Sequence, residues 1–364
     1  MEFALSEDQR QMQDSLRSAL ARACPLARVR DASDRGLARD EAVWAVGCEI
    51  GVPALLVPEA HGGLGLSLLD AAIAAEELGR CAAPVPFLGS AVLAAIALRE
   101  AGNVEQQAHW LPRIATGKAV VGAALCEALA GARADVGVQL RGGRQHGSSC
   151  FVIDAAQADA YLLAESDGSL HLVAADAPGL QSVPLLAIDA TRPLVELRLD
   201  GVVSQRLPGS GALTLRRLRD AAWVITAADT LGAGWAMIDQ SVAFSRERRQ
   251  FGRTIGSFQA VKHLLADMYV SATLARSNCY YGAWALSTNA SELPEAAAAA
   301  RISATQAFQH CAKNNIQVHG GMGFTWEFDC HLYYRRSNAM ALSLGSLSYW
   351  EDALIDRMRK RNAA

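Results

Sequence analysis

Three textures of apolar and polar positions succeed one another along the 364 residues. Across residues 1–115, apolar side chains recur at helical spacing between Gly/Pro breaks at "VPEAHGGLGLS" and "CAAPVPFLG". Between those breaks "LLDAAIAAEELGR" predicts a helix closed by Gly79 as its cap, and Ser6-Glu-Asp-Gln9 predicts a capping box on the first helix. Across residues 116–212 the pattern shortens to "AVVGAAL", "SCFVID", "AYLLAE", "LHLVAA" and "LVELRL", separated by Gly, Asp and Ser. These are strand lengths with no helix-length segment between them, so a small antiparallel barrel or sandwich is expected. From residue 213 long Ala/Leu/Arg blocks predict helices at about Asp220–Gln250, Phe258–Ser287, Pro294–His319 and Tyr333–Arg359. The first would be roughly 45 Å long, a length that packs in a bundle. The expected fold is α+β and mostly α: an N-terminal helical domain (1–115), a middle β-domain (116–212) and a C-terminal four-helix bundle (213–364).

Composition narrows the function. With 51% hydrophobic and 20% charged residues the chain is globular, and a net charge of −3 gives no electrostatic case for nucleic acid or an anionic membrane. The cysteines, Cys24, Cys48, Cys81, Cys126, Cys150, Cys279, Cys311 and Cys330, are scattered without metal-ligand spacing, which disfavours zinc and iron–sulfur sites. The N-terminus starts acidic, unlike a signal segment, and no uninterrupted apolar run reaches the roughly 18 residues of a membrane span. A reduced, cytoplasmic enzyme or enzyme subunit is the expectation.

Two motifs sharpen it. "RERRQFGRTIGSFQAVKHLLADM" holds Arg-x-x-Phe-Gly and a following Gln, and "QVHGGMGFTWEFDCHLYYRR" holds Gln-x-x-Gly-Gly-x-Gly-Phe. With the order of the three textures, and with weaker matches at "VPEAHGGLGLS" and "EELGR", the chain resembles the acyl-CoA dehydrogenase family over essentially its whole length. Within that family it resembles the non-catalytic subunit of heterotetrameric (α2β2) members of steroid side-chain degradation. The resemblance implies FAD bound across a subunit boundary, and an α,β-desaturation in which a carboxylate takes the α-proton of a CoA thioester while a hydride goes to the flavin.

The resemblance also assigns roles. Arg248, Gln250, Phe251 and Gln259 fall at positions that meet the ADP half of a neighbour's FAD, where a guanidinium suits a diphosphate. Gln317, Gly320 and Gly321 match an amide and glycines at the adenosine end. From the residues alone, the arginines could equally complement a helix C-terminus and the glycines cap one. His263 and His319 read as packing or hydrogen-bonded core histidines.

The flavin-ring side departs from the family. In "ALCEALAGARAD" Cys126 stands where the family has Thr, and Arg133-Ala134 stand where it has Gly-Ser before Asp135; in "FVIDAAQAD" Ile153 replaces a hydroxyl residue. The base position holds Leu344, before Gly345 and Ser346, and the family's alternative base position near Ala222 has no carboxylate, with Trp223 where Arg is usual. Asp220 is the nearby acid and reads mainly as a helix-start residue. What a subunit gives to its own reacting centre is missing, and what it gives to a neighbour's FAD is kept. The expected protein is therefore a subunit without a catalytic residue of its own, completing the FAD site of a homologous partner that carries the Glu, with the acyl-CoA mainly in the partner. Two alternatives stay open: a self-sufficient homomeric enzyme using Asp220 as a displaced base, and a flavin-free structural or regulatory homologue.

Overall fold

The computed structural model describes residues 5–37, 39–131 and 136–363. Two compact units are present, Met1–Asp31 with Ala72–Ala83 and Trp223–Ala364, and Ala32–Ala71 with Pro84–Ala222. The front of the chain forms α1 (Glu7–Ala23), α2 (Leu26–Asp34), α3 (Glu41–Glu49), α4 (Leu68–Arg80), α5 (Ala95–Ala101) and α6 (Val104–Ala115). Then come β1 (Val121–Ala124), α7 (Cys126–Ala130), β2 (Gly137–Arg141), β3 (Arg144–Val152), β4 (Ala160–Ala164), β5 (Leu170–Ala174), β6 (Leu180–Leu185), β7 (Leu194–Val202) and β8 (Gln205–Arg206). The last part holds α8 (Ala212–Glu247), β9 (Arg249–Gln250), β10 (Arg253–Thr254), α9 (Gln259–Thr288), α10 (Leu293–His319), α11 (Cys330–Met340) and α12 (Leu347–Ala363).

The capping box opens α1: Gln9 N–H donates to Ser6 Oγ and Ser6 N–H to Gln9 Oε1, both at 3.1 Å. Gly79 is not a cap. It lies inside α4, where a Cβ would sit 2.0 Å from Asp229 O of α8, while a Cβ on Gly232 of α8 would sit 1.8 Å from Glu76 O of α4. Two helix backbones approach through this glycine pair, which no larger residue permits.

Helix α8 begins at Ala212, about two turns before the expected start near Asp220. An 18-residue window of it is apolar enough to cross a membrane, but 94% of that window is buried in the protein, as in a core helix. Helices α9 and α10 run antiparallel, since Asn278 Nδ2 donates to Ser303 Oγ (3.1 Å) and Cys311 Sγ lies 3.7 Å from Met268 O. Left-handed Asn289 (φ 51°) ends α9. Ala227, Leu231, Ala275, Cys279, Ala300, Ala304 and Ala307 form the core between α8, α9 and α10, small side chains that let these helices pack closely. The single helix expected over Tyr333–Arg359 is two, α11 and α12, broken at Leu344-Gly345, both of positive φ.

The β-domain is a two-sheet sandwich, β1-β4-β5-β8 and β2-β3-β7-β6. Its core takes Ala124, Tyr161, Leu163 and Val173 from one sheet and Val138, Val152, Leu197 and Leu199 from the other. Pairing is antiparallel except β1 with β4, which is parallel. The all-antiparallel expectation is corrected there, because α7, β2 and β3 intervene between the two strands.

Candidate functional site

One end of the α8–α9–α10 bundle gathers the residues of both motifs. Arg248 follows α8 and leads into the β9–β10 hairpin, where Gln250 pairs with Arg253 and Arg249 with Thr254. Its two-residue turn is Phe251 (φ 51°) and Gly252 (φ 80°), the left-handed pair that a tight hairpin needs. Gly adopts this without strain, whereas a non-glycine residue there costs roughly 1–2 kcal/mol. The Phe251 ring is 92% exposed, with an edge contact to Phe258 at 6.2 Å, so little inside the described chain offsets that cost. The Arg253 guanidinium covers the Phe258 ring at 4.0 Å. Gln259 is the first residue of α9, whose N-terminus has no side-chain cap and so presents open N–H groups.

Helix α10 ends beside this hairpin. Ser241 Oγ of α8 donates to Asn315 Oδ1 (2.7 Å), Asn315 Nδ2 donates to Gln240 Oε1 (3.1 Å), and His319 stacks on Phe244 at 4.2 Å. These contacts hold Gln317, Gly320 and Gly321 at the same end as Arg248 and Gln259. Gly320 has φ 60° and ψ −140°, a conformation for glycine, and a Cβ at Gly320 or Gly321 would meet nothing within 4 Å. Gly323 differs, since a Cβ there would lie 2.8 Å from Ile316 O. Packing within the chain therefore explains Gly323 but leaves Gly321 unexplained. Arg248, Gln250, Gln259 and Gln317 are exposed, and among the described residues their side chains make no hydrogen bond or ion pair. A guanidinium, three amides, an open helix N-terminus and accessible glycine backbone form an array suited to a diphosphate and its ribose.

The Leu344 loop is chemically different. Leu344 is 3% exposed and left-handed (φ 60°), Gly345 has φ 126°, and Trp350 Nε1 donates to Leu344 O at 3.1 Å. Buried Arg301 holds the preceding turn, donating to Ser343 O (3.1 Å) and Met340 O, with its guanidinium 4.2 Å from the Trp350 ring. Trp223 meets Tyr349 edge-on at 6.0 Å, and Arg357 lies over Trp223 at 5.2 Å. A buried leucine in a left-handed conformation is a strained backbone position fixed by its surroundings. Nothing in the sequence pattern singled out Arg301; its role follows from burial and two carbonyl contacts.

The other positions are placed as follows. Asp220 is not at a helix start but in the third turn of α8, 4% exposed and bonded by Arg219 at 3.2 Å. His263 is exposed on α9, on the solvent side of its first turns with Lys262, Ala266 and Asp267, so its reading as a core histidine is corrected. His319 is buried, with Nδ1 2.8 Å from Asn315 O. Cys126 Sγ lies 3.1 Å from Phe151 O, and Ile153 is buried at a bridge to Ala123. Arg133, Ala134 and Asp135 lie outside the described residues. Among the described residues no three His, Cys, Asp or Glu side chains converge on a metal site.

Burial is the main cause that lowers the pKa of His319, with the Asn315 carbonyl opposing it. A folded pKa below the unfolded value near 6.5 means that protons bind the unfolded chain more readily. The stability from neutral His319 is full above about pH 6.5 and is lost as pH falls through the lower folded value. Urea midpoints between pH 7.5 and 5 should fall for the wild type, and fall less for His319→Phe, which keeps the stack on Phe244.

A bundle of long helices with an anion-suited array at one end, and a two-sheet β-sandwich, are the parts expected of the acyl-CoA dehydrogenase class. Its N-terminal domain profile matches residues 6–118 and its C-terminal domain profile residues 213–357, and the chain belongs to the acyl-CoA dehydrogenase family. Acyl-CoA dehydrogenase IpdE2 of Mycobacterium tuberculosis is 34% identical over 343 residues, 93% of this chain and 94% of that protein. Among solved structures, a chain of a Tcur3481–Tcur3483 steroid ACAD variant aligns with a TM-score of 0.89 at 28% identity, over 98% of this chain and 99% of its own. A chain of the ChsE4–ChsE5 complex from Mycobacterium tuberculosis aligns with a TM-score of 0.89 at 26% identity, over 100% and 99%.

Proposed function

We propose that this chain is a subunit of a heteromeric, FAD-dependent acyl-CoA dehydrogenase of α2β2 type, with a homologous partner that carries the catalytic carboxylate. The observation that carries this reading is a contrast. Every polar side chain assigned to a neighbour's cofactor is exposed and unengaged, while the base position is a buried leucine in a left-handed loop. Such a loop suits the presentation of one side chain at a fixed angle, and its strained geometry persists here without the carboxylate.

In the complex, FAD supplies the hydride acceptor. This chain would hold its diphosphate through Arg248 and the N-terminus of α9, and its adenosine end through Gln317 and the Gly320-Gly321 backbone, with Gln250 and Phe251 at the hairpin tip. Exposed Tyr269, Val270 and Leu274 on one face of α9 give that helix an apolar surface for a partner bundle. The similarity to a steroid ACAD and to a two-component complex supports a bulky, steroid-derived CoA thioester as substrate.

The test is turnover. The chain purified alone should not desaturate acyl-CoA, and the co-purified complex should. Asp220→Asn should leave turnover of the complex within about twofold, because Asp220 is held in a local pair with Arg219. Activity of the chain alone that disappears in Asp220→Asn would establish the homomeric, displaced-base enzyme instead.

A further inference from the structure

A cavity of about 770 Å³ opens between α1 and the middle of α9, lined among others by Arg10, Gln13, Arg276, Asn278, Tyr280 and Tyr281. Its volume is that of a ligand pocket. Tyr280 lies some 30 Å along α9 from Gln259 at about 1.5 Å per residue, so this is not the FAD-facing end of the bundle.

Three features make it a built site. Gln13 occupies the buried stripe of α1 with Leu16 and Leu20, where an apolar residue would pack without cost. It is 7% exposed, and its side-chain nitrogen is buried without an acceptor, a destabilising arrangement that a turn of the amide toward a ligand in the cavity would relieve. Arg10, one turn earlier, has no ion pair or side-chain hydrogen bond among the described residues. Arg276 lies over the Tyr280 ring at 5.2 Å and likewise makes no ion pair among the described residues. The Tyr280 hydroxyl is already used, donating to buried Glu76 Oε2 at 2.8 Å, whose carboxyl burial pushes above its usual range. Among the described lining residues Asp14 is the one acid, against the two guanidinium groups. The wall therefore offers positive charge and an unpaired N–H donor beside the rings of Tyr280 and Tyr281.

We propose that this cavity binds an organic phosphate carried on a planar ring, the chemistry shared by free nucleotides and by the adenosine end of CoA. The guanidinium groups and the Gln13 amide take the phosphate, and the tyrosine rings flank the planar group. The site is separate from the proposed FAD contact and does not depend on it.

The experiment is calorimetric titration of the FAD-saturated, co-purified complex with AMP, adenosine 3′,5′-bisphosphate, inorganic phosphate and hexanoate. Saturable binding of the adenosine phosphates is expected, weakened about tenfold or more by Arg276→Ala and by Gln13→Leu, with FAD content unchanged. Tighter binding of AMP would identify a free nucleotide as the source, and tighter binding of the bisphosphate the CoA end. Gln13→Leu removes an unpaired buried amide and keeps its fold, so its loss of binding is not a loss of structure. Absence of binding, hexanoate binding as tightly as AMP, or affinities unchanged in both variants would overturn the proposal. Protection of 276–281 from hydrogen exchange on assembly without any nucleotide would also overturn it, assigning the cavity to a partner segment.

Discussion

Arg248→Ala in the proposed complex should lower FAD affinity by about 10- to 100-fold, the loss expected when a charge-assisted, forked contact to a diphosphate is removed. The side chain is exposed and makes no bond within the described chain, so the thermal midpoint of the isolated chain should stay within about 1 °C. That pairing separates a cofactor contact from a structural arginine. Arg248→Lys should recover part of the affinity, because an ammonium keeps the charge but not the planar fork. Fluorescence titration of apo-complex with FAD reads the effect. An unchanged dissociation constant would remove Arg248 from the cofactor site.

Arg336→Ala should cost about 3–5 kcal/mol of stability, because it removes the two-bond guanidinium partner of the buried Asp229 carboxylate. Arg336 is 0% exposed, and its Nη2 donates to Asp229 Oδ1 at 2.9 Å and Oδ2 at 3.2 Å, tying α11 to α8. The pair sits beside the close approach of α4 and α8, where a Cβ on Gly79 would meet Asp229 O. Urea denaturation measures it. Arg336→Met combined with Asp229→Leu should lie nearer wild type than either single change, since the double removes both charges together.

Helices with many apolar positions were legible in the sequence because burial writes a 3.6-residue period into them, and α9 and α10 begin and end within one residue of expectation. The strands missed were β2, β6 and the two-residue β8, β9 and β10. Both β2 and β6 are edges of their sheet, and β6 is largely exposed and carries Pro184, so neither has a continuous apolar run. Gly79 was misread because a glycine near a helix end has two physical reasons, a cap or a close helix crossing, and only the facing backbone of α8 decides between them. The break between α11 and α12 was hidden because Leu344 carries no mark of its left-handed conformation. The motif residues could be found from spacing, but their exposure and lack of internal partners could not. Arg301 was invisible for the opposite reason, as an arginine in an Ala-rich helix reads as solvated until its carbonyl acceptors are seen.

The central claim is that this chain gives one half of a cofactor site and has no complete site of its own. Flavin absorbance per polypeptide, measured on the chain alone and on the complex co-purified with its homologous partner, tests it directly. The account predicts no FAD on the chain alone and one FAD for each pair of unlike chains in the complex. A yellow chain that carries one FAD per polypeptide and turns over acyl-CoA by itself would contradict it.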